Sequence, residues 1–285
     1  MSRPARTATA AHSKTAHPKT ANERKAPVMA TATTAALIPA RAGRLHRSYL
    51  RYEVLRTFRN RRFLVFSLAF PLVLFFTIAS ENRHVHLDGI SFPLYYMTGM
   101  ASWGSLVAVI SSGGRIAGER QIGWTRQIRI TPLGPGSYIG AKVICAYLMA
   151  ALSIAALYLA GSSLGVHLTA TQWLEMTGLL LVGLVPFAVL GIVLGHAITV
   201  DATGPAIGGA TTVLALLGGS WGPLFHSAIG LDLVKCIPSY WLVQAGRIAL
   251  GGSAWTAQAW VVVAAWTIVL AVIGARVYLR DTARV

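Results

Sequence analysis

The sequence predicts an all-α integral membrane protein with six transmembrane helices. Three observations carry that fold class. The chain is 54% hydrophobic and 12% charged, with a mean hydropathy of +0.58, which is too apolar for a soluble domain of its length. Its apolar residues fall in runs that can span a hydrocarbon core about 30 Å thick, a distance that takes about 20 residues of helix. Its basic residues gather in alternate connectors. The runs are continuously apolar, whereas barrel strands would alternate over short segments, so helices are the predicted form.

Residues 1–40 stand apart as a disordered basic cytoplasmic tail. "MSRPARTATAAHSKTAHPKTANERKAPVMATATTAA" is rich in Ala and Thr, with scattered Pro and Lys and no apolar periodicity. Its Arg content and shortage of acids also suit an organellar transit peptide, but the amphipathic pattern of such peptides is missing. The pattern changes at Arg44. Leu45, Tyr49, Tyr52, Leu55 and Phe58 recur at three- and four-residue spacings with arginines between them. This predicts an amphipathic interface helix over 44–62, lying at the inner membrane surface as a lipid anchor, a partner contact, or both.

The transmembrane domain is expected over 41–285, with spans at about 63–79, 92–112, 138–164, 173–198, 203–221 and 255–277. The first, "FLVFSLAFPLVLFFTIA", lies too far into the chain and is too long for a cleaved secretory signal. Lys142 falls near the start of the third span, where its side chain is expected to snorkel to the interface. Pro71 and Pro186 are expected to kink the first and fourth spans. Small-xxx-small pairs, Gly191/Gly195 and Gly204/Gly208, could let helices approach closely, but with 28 glycines chance matches are expected.

Charge orients the chain. Of 25 Lys and Arg, fourteen lie in residues 1–62, five in the connector after the second span and three at the C-terminus. Arg83, Lys235 and Arg247 are the others. Both termini are therefore expected in the cytoplasm, with the protein multi-pass in the membrane. A net charge of +16 could suit a nucleic-acid binder, but here it flanks apolar runs and forms no soluble basic face, so no nucleic-acid partner is expected.

The chain carries no engine of its own. No GxxxxGK[ST] phosphate loop occurs, and GxSxG, HExxH and CxxC are all absent. His84 and His86 are too few to ligate a metal. Cys145 in a span and Cys236 in an outer connector are expected as unpaired, small apolar side chains. The spans lack the chain of buried acids and bases that an ion-coupled transporter needs. Glu175 and Asp201 sit near the ends of the fourth span. A transport function would draw its energy from another subunit.

The connector "GERQIGWTRQIRITPLGPGSYIGAK", Gly118–Lys142, is cytoplasmic in this plan. Ile116, Ile122 and Ile128 among Arg, Glu and Gln predict a short amphipathic helix, and "TPLGPG" breaks it. A plain basic turn would need neither that helix nor Trp124. The stretch resembles the signature of the ABC type-2 permease family, the membrane subunits of bacterial ABC exporters. The resemblance rests on Gly118, Glu119, Arg120 and Gly123, then Thr131, Pro132 and Leu133, then Gly140 and Lys142. Trp124 stands where the family usually has Thr, and Ile128 where Leu is common. "LGGSWGPLFHSAIGLDLVKCIPSYWLVQAGR", Leu217–Arg247, is similar to the family's outer region, with Pro223 and the Pro238–Trp241 segment. Short re-entrant helices are expected there, with Asp232 and Lys235 paired locally.

The resemblance covers about Arg44 to the C-terminus. It implies a permease that works as a dimer, identical or not, with each subunit docked on a separate ATP-binding subunit. ATP and Mg would sit on that partner, so this chain binds no cofactor and is not itself an enzyme. Glu119, Arg120 and Gly123 would then belong to the helix that couples ATP hydrolysis to transport. Arg126 and Arg129 join them on charge and position alone. The cargo expected from uncharged spans and family habit is a hydrophobic or amphipathic compound, drug- or antibiotic-like. Export of a polysaccharide or lipid-linked glycan is the alternative within transport. A membrane-embedded enzyme would need clustered His, Asp and Glu at a membrane face, and a passive anchor would leave the coupling motif without a purpose.

Overall fold

Glycine and serine dominate the middle of the longest helix, and that composition explains how the others gather around it. The computed structural model describes residues 38–87, 89–131, 133–222, 224–225, 227–251 and 255–283, with backbone alone for 38–45, 62–63, 66, 125–126, 129, 249 and 280–283. Pro132 and Pro223 lie outside the described residues, as do the side chains of Arg126 and Arg129 and nearly all of the tail. Ala40–Val285 form one unit.

The chain opens with α1 (Ile38–Arg59) and α2 (Arg61–Glu81), separated by Asn60. A two-residue hairpin, β1 (His86–Leu87) against β2 (Ile90–Ser91), turns at Gly89 and leads into α3 (Phe92–Gln121). Then come α4 (Trp124–Arg129), α5 (Pro135–Ser163), α6 (Ala170–Gly183), α7 (Val185–Ala197) and α8 (Val200–Gly218). Two short helices, α9 (Ala228–Lys235) and α10 (Pro238–Arg247), precede the long α11 (Ala257–Ala283). The protein is an all-α membrane protein. Four stretches are long and apolar enough to cross a membrane: Pro135–Ser163, Ala170–Ala197, Val200–Gly218 and Ala257–Leu279, while Ser67–Glu81 is a shorter apolar helix.

Helix α3 is the hub, packing against α2, α5, α7, α8 and α10. Met97, Met100, Ala101, Ala108, Val109 and Ile110 are fully buried on it. Its glycines allow backbone-to-backbone contact. A Cβ on Gly113 would lie 1.8 Å from the Gly191 carbonyl oxygen of α7, and one on Gly195 would lie 2.3 Å from that of Gly113. A Cβ on Gly99 would lie 2.0 Å from the Ser220 carbonyl oxygen. Helices without side chains between them gain dispersion contacts that lipid cannot supply. The Gly191/Gly195 pair is thus a real helix contact, whereas Gly204 and Gly208 face open space.

The structure departs from the sequence-based plan in two places, the length of α3 and the direction of Lys142, and it bears out the expected kink at Pro186. The second span was expected to end at 112, but α3 continues to Gln121. Gly118, Glu119 and Arg120 are therefore its last turns, and the short helix is only Trp124–Arg129. Falling hydropathy marks where a span ends in lipid; the backbone has no breaker until Gly123, which adopts φ 73°. The fourth span is two helices. Pro186 has no N–H to donate, and α6 and α7 meet around Leu184. Lys142 does not snorkel outward; its side chain is 1% exposed.

Asp232 and Lys235 pair one turn apart at 2.9 Å on α9, as expected. Pro238 starts α10 in the first-turn position that suits its missing N–H. Trp241 anchors this region: its Nε1 donates to Lys235 O at 2.7 Å, and its own carbonyl accepts from Trp255 Nε1 at 3.1 Å. Cys145 is buried and Cys236 exposed, and neither is in a disulfide.

The α3–α7 contact makes a sharp prediction. Gly113→Ala should cost about 1–3 kcal/mol through overpacking and lower the yield of monodisperse protein. Gly208→Ala should leave thermal stability in detergent unchanged. Thermal scans with size-exclusion profiles compare the two.

Candidate functional site at the basic end of the bundle

The site is built where three helices bring charges together. On α1, Glu53, Arg56 and Thr57 stand three and four residues apart and so share a face. That face meets the last turns of α3, bearing Arg115 and Glu119, and the first turns of α5, bearing Tyr138 and Lys142. Lys142 Nζ lies 2.5 Å from Glu53 Oε1 and 2.5 Å from Glu119 Oε1. Arg56 Nη1 donates to Glu119 Oε1 at 2.6 Å, and the Tyr138 hydroxyl donates to Glu119 Oε2 at 2.8 Å. Thr57 Oγ1 donates to Glu53 O at 2.8 Å and accepts from Arg115 Nη1.

Glu53, Glu119 and Lys142 are each no more than 1% exposed. Removing such ions from water costs several kcal/mol apiece, and only close, fully bonded geometry offsets it. Glu119 meets that condition, since both its oxygens are engaged. A charge cluster of this kind is favourable in one arrangement of α1, α3 and α5 and costly in any other. It therefore fixes their register. The Tyr49 ring on α1 lies tilted against that of Tyr138, with centroids 6.2 Å apart. Burial, reinforced by Glu53 and Glu119, pushes its phenol far above the ordinary range and keeps it neutral. Burial works against the Arg56 charge, but the Glu119 and Glu53 carboxylates outweigh it and raise its pKa further.

The sequence-predicted site residues divide into three groups. Glu119 and Lys142 are the centre of the cluster. Arg120 turns the other way, with Nη1 3.3 Å from Gly195 O and 3.5 Å from Ile198 O, a cation at the C-terminal end of α7. Gly118, Gly123 and Gly140 have open space beside them, so packing demands none of the three; Gly123 is needed for its left-handed turn. Thr131 caps the end of α4, its hydroxyl donating to Ile128 O at 2.6 Å and accepting from Leu133 N at 3.4 Å. Sequence reasoning missed Glu53, Arg56, Arg115 and Tyr138 as partners. The available signal was Glu53 itself, an isolated acid in a strongly basic helix.

Two clefts open beside the cluster. One, of about 740 Å³, runs between α1 and the end of α3 and is lined by Tyr52, Leu55, Arg56, Arg59, Arg115 and Ile122. The other, of about 610 Å³, separates α1 from α4 and the following turn, and is lined by Tyr49, Trp124, Gln127, Ile128, Ile130 and Leu133. Trp124 is a wall of the second cleft, its buried Nε1 unbonded among the described residues. Ile122 is 69% exposed and Ile130 88% exposed. Among the described residues, no group of three His, Cys, Asp or Glu side chains could hold a metal ion.

No family model matches the chain. A protein of Bacillus subtilis (strain 168), named "Putative transport permease YvfS", is 28% identical over 209 residues, covering 70% of this chain and 84% of that protein. The likeness spans far more than one connector. The chain is similar to that protein over most of both lengths. This likeness supports the family resemblance read from the motifs, and the apolar helices fit a multi-pass membrane protein.

The buried cluster should respond asymmetrically to substitution. Lys142→Met leaves two buried carboxylates facing each other and should cost about 3–5 kcal/mol. Adding Glu53→Gln should recover part of that loss, because Glu119 retains Arg56 and Tyr138. Thermal unfolding of the single and double variants in one detergent measures the coupling, and additive losses would count against the cluster.

Proposed function

We propose that the chain is the permease subunit of an ATP-driven ABC exporter. A separate ATP-binding subunit docks on the basic end of the bundle, and a second permease subunit completes the translocation path. The observation that carries this reading is the position of the ion cluster. It lies directly behind two open clefts and joins them to the last turns of α3, the helix that touches most of the bundle.

In this mechanism the basic end faces the cytoplasm, where positive-inside charge would hold it. The partner engages the exposed apolar residues Ile122 and Ile130 and the cations rimming the first cleft. Charge complementarity with an acidic partner surface sets orientation more than affinity. Closure of the ATPase pushes α1 and α4. The cluster, which tolerates only one register, carries the displacement into α3 and α5 together, and α3 passes it to α7, α8 and α10. Arg120 adds a direct tie from α3 to the end of α7. The six-span arrangement, with both termini inside, follows if α2 and α3 also cross. The cargo that suits the apolar spans is a hydrophobic or amphipathic compound of the drug or antibiotic class.

Mild purification from native membranes should bring down an ATPase that carries a phosphate loop. Ile130→Glu should abolish that co-purification while leaving the permease as stable as wild type. Glu119→Gln should keep the ATPase bound but reduce ATP-dependent export in vesicles by roughly ten-fold or more, a rise of about 1.4 kcal/mol in the transport barrier. Recovery of the permease without any ATPase would overturn the exporter reading.

A further inference from the structure

A second charged feature lies at the other end of α3, about 36 Å from the ion cluster by helix rise. Arg247 closes α10, and its Nη2 donates to Gly219 O at 2.8 Å and to the Tyr95 hydroxyl at 3.0 Å. The guanidinium also sits over the Tyr95 ring, 5.0 Å from its centroid. Among the described residues no carboxylate pairs with it, in contrast to Lys142 and Arg56. Its Nε is buried and makes no hydrogen bond within the described residues. Gly219 ends α8, and a helix C-terminus supplies only about half a negative charge. A partly buried cation with only a carbonyl, a hydroxyl and a ring against it, and no carboxylate among the described residues, is placed to accept an anion.

The space beside it fits that purpose. A pocket of about 80 Å³ is walled by Leu224, Phe225, Leu231 and Val234, and Tyr240, Gln244 and Arg247 also line it. That volume takes a headgroup, not a drug-sized molecule, whose pockets run to about 300–1,000 Å³. Outside it, Leu224 is 51% exposed, and Ile229 and Leu233 of α9 are 78% and 66% exposed. These give an apolar track along which a chain attached to the headgroup can lie.

We propose that this pocket binds the anionic head, a carboxylate or a phosphate, of an amphiphile. Arg247 and Gln244 hold the head, and Leu224, Phe225 and Leu231 grip the first carbons of its tail. The Arg247 Nε–H, which has no partner among the described residues, suits an acceptor oxygen on that head, and the guanidinium charge strengthens the bond. The site is independent of any ATPase and can be tested on the permease alone.

The full chain is reconstituted in phosphatidylcholine nanodiscs and titrated calorimetrically with dodecanoate, and with dodecanol as the uncharged control. Wild type should bind dodecanoate saturably, and Arg247→Gln should weaken this at least ten-fold without altering the response to dodecanol. Leu224→Trp, which fills the pocket and keeps both Arg247 hydrogen bonds, should do the same, so the test survives if Arg247→Gln fails to fold. Native mass spectrometry from phosphatidylglycerol nanodiscs distinguishes the source of the head. Retention of that lipid by wild type and its loss in both variants assigns a phospholipid. No retention beside saturable dodecanoate binding assigns a free amphiphilic acid. Absence of both, or Leu224→Trp binding both probes as wild type does, overturns the proposal.

Discussion

Backbone contact between α3 and α7 is the constraint on which the rest of the bundle depends. At Gly113 and Gly195 the two helices approach so closely that neither can carry a side chain. In lipid, helices gain little from hiding apolar surface, so association must come from close packing and internal hydrogen bonds. The small residues of α3 supply the packing on several sides at once. Gly99 seats the turn after α8 at Ser220, Gly104 meets Ser153 of α5, and Gly113 seats α7. With α3 held this tightly, the helices around it have little freedom of their own.

The ion cluster adds a different kind of order at one end of that core. Close packing alone fixes how near two helices lie, but it tolerates sliding where surfaces are smooth. Lys142 between Glu53 and Glu119 does not, because any slide leaves a buried charge unpaired. The cluster also recruits α1, which contributes no span and whose outward residues Tyr52, Leu55 and Phe58 are exposed. At the other end Arg247 is arranged in the opposite way. Its charge rests on a carbonyl, a hydroxyl and an aromatic ring, which leaves room for an anion that the chain does not itself provide. One end is internally closed and the other is open.

Much of this was legible in the chain. Apolar runs announced the long helices α5, α8 and α11, since burial in lipid needs continuous apolarity whatever the neighbours are. Tyr49 and Tyr52 with the intervening arginines announced α1. The connector motif drew attention to Glu119 and Lys142, and the Gly191/Gly195 spacing marked a real contact. Less visible was the length of α3. Its last turns are polar, and hydropathy reports where a helix leaves lipid, not where its hydrogen bonds stop. The snorkelling expected of Lys142 was wrong for a related reason. An isolated lysine at a span end reaches for water, and only the arrival of Glu53 from 89 positions earlier in the chain makes the inward rotamer favourable.

The sequence by itself therefore determined the class of molecule, most of its long helices and its resemblance to transport permeases, because hydropathy and short motifs are local properties. The tertiary structure alone decided which charges meet, which glycines touch backbone, and why Trp124 stands at a cleft wall. Those are contacts between segments far apart in the chain, and no local spacing encodes them.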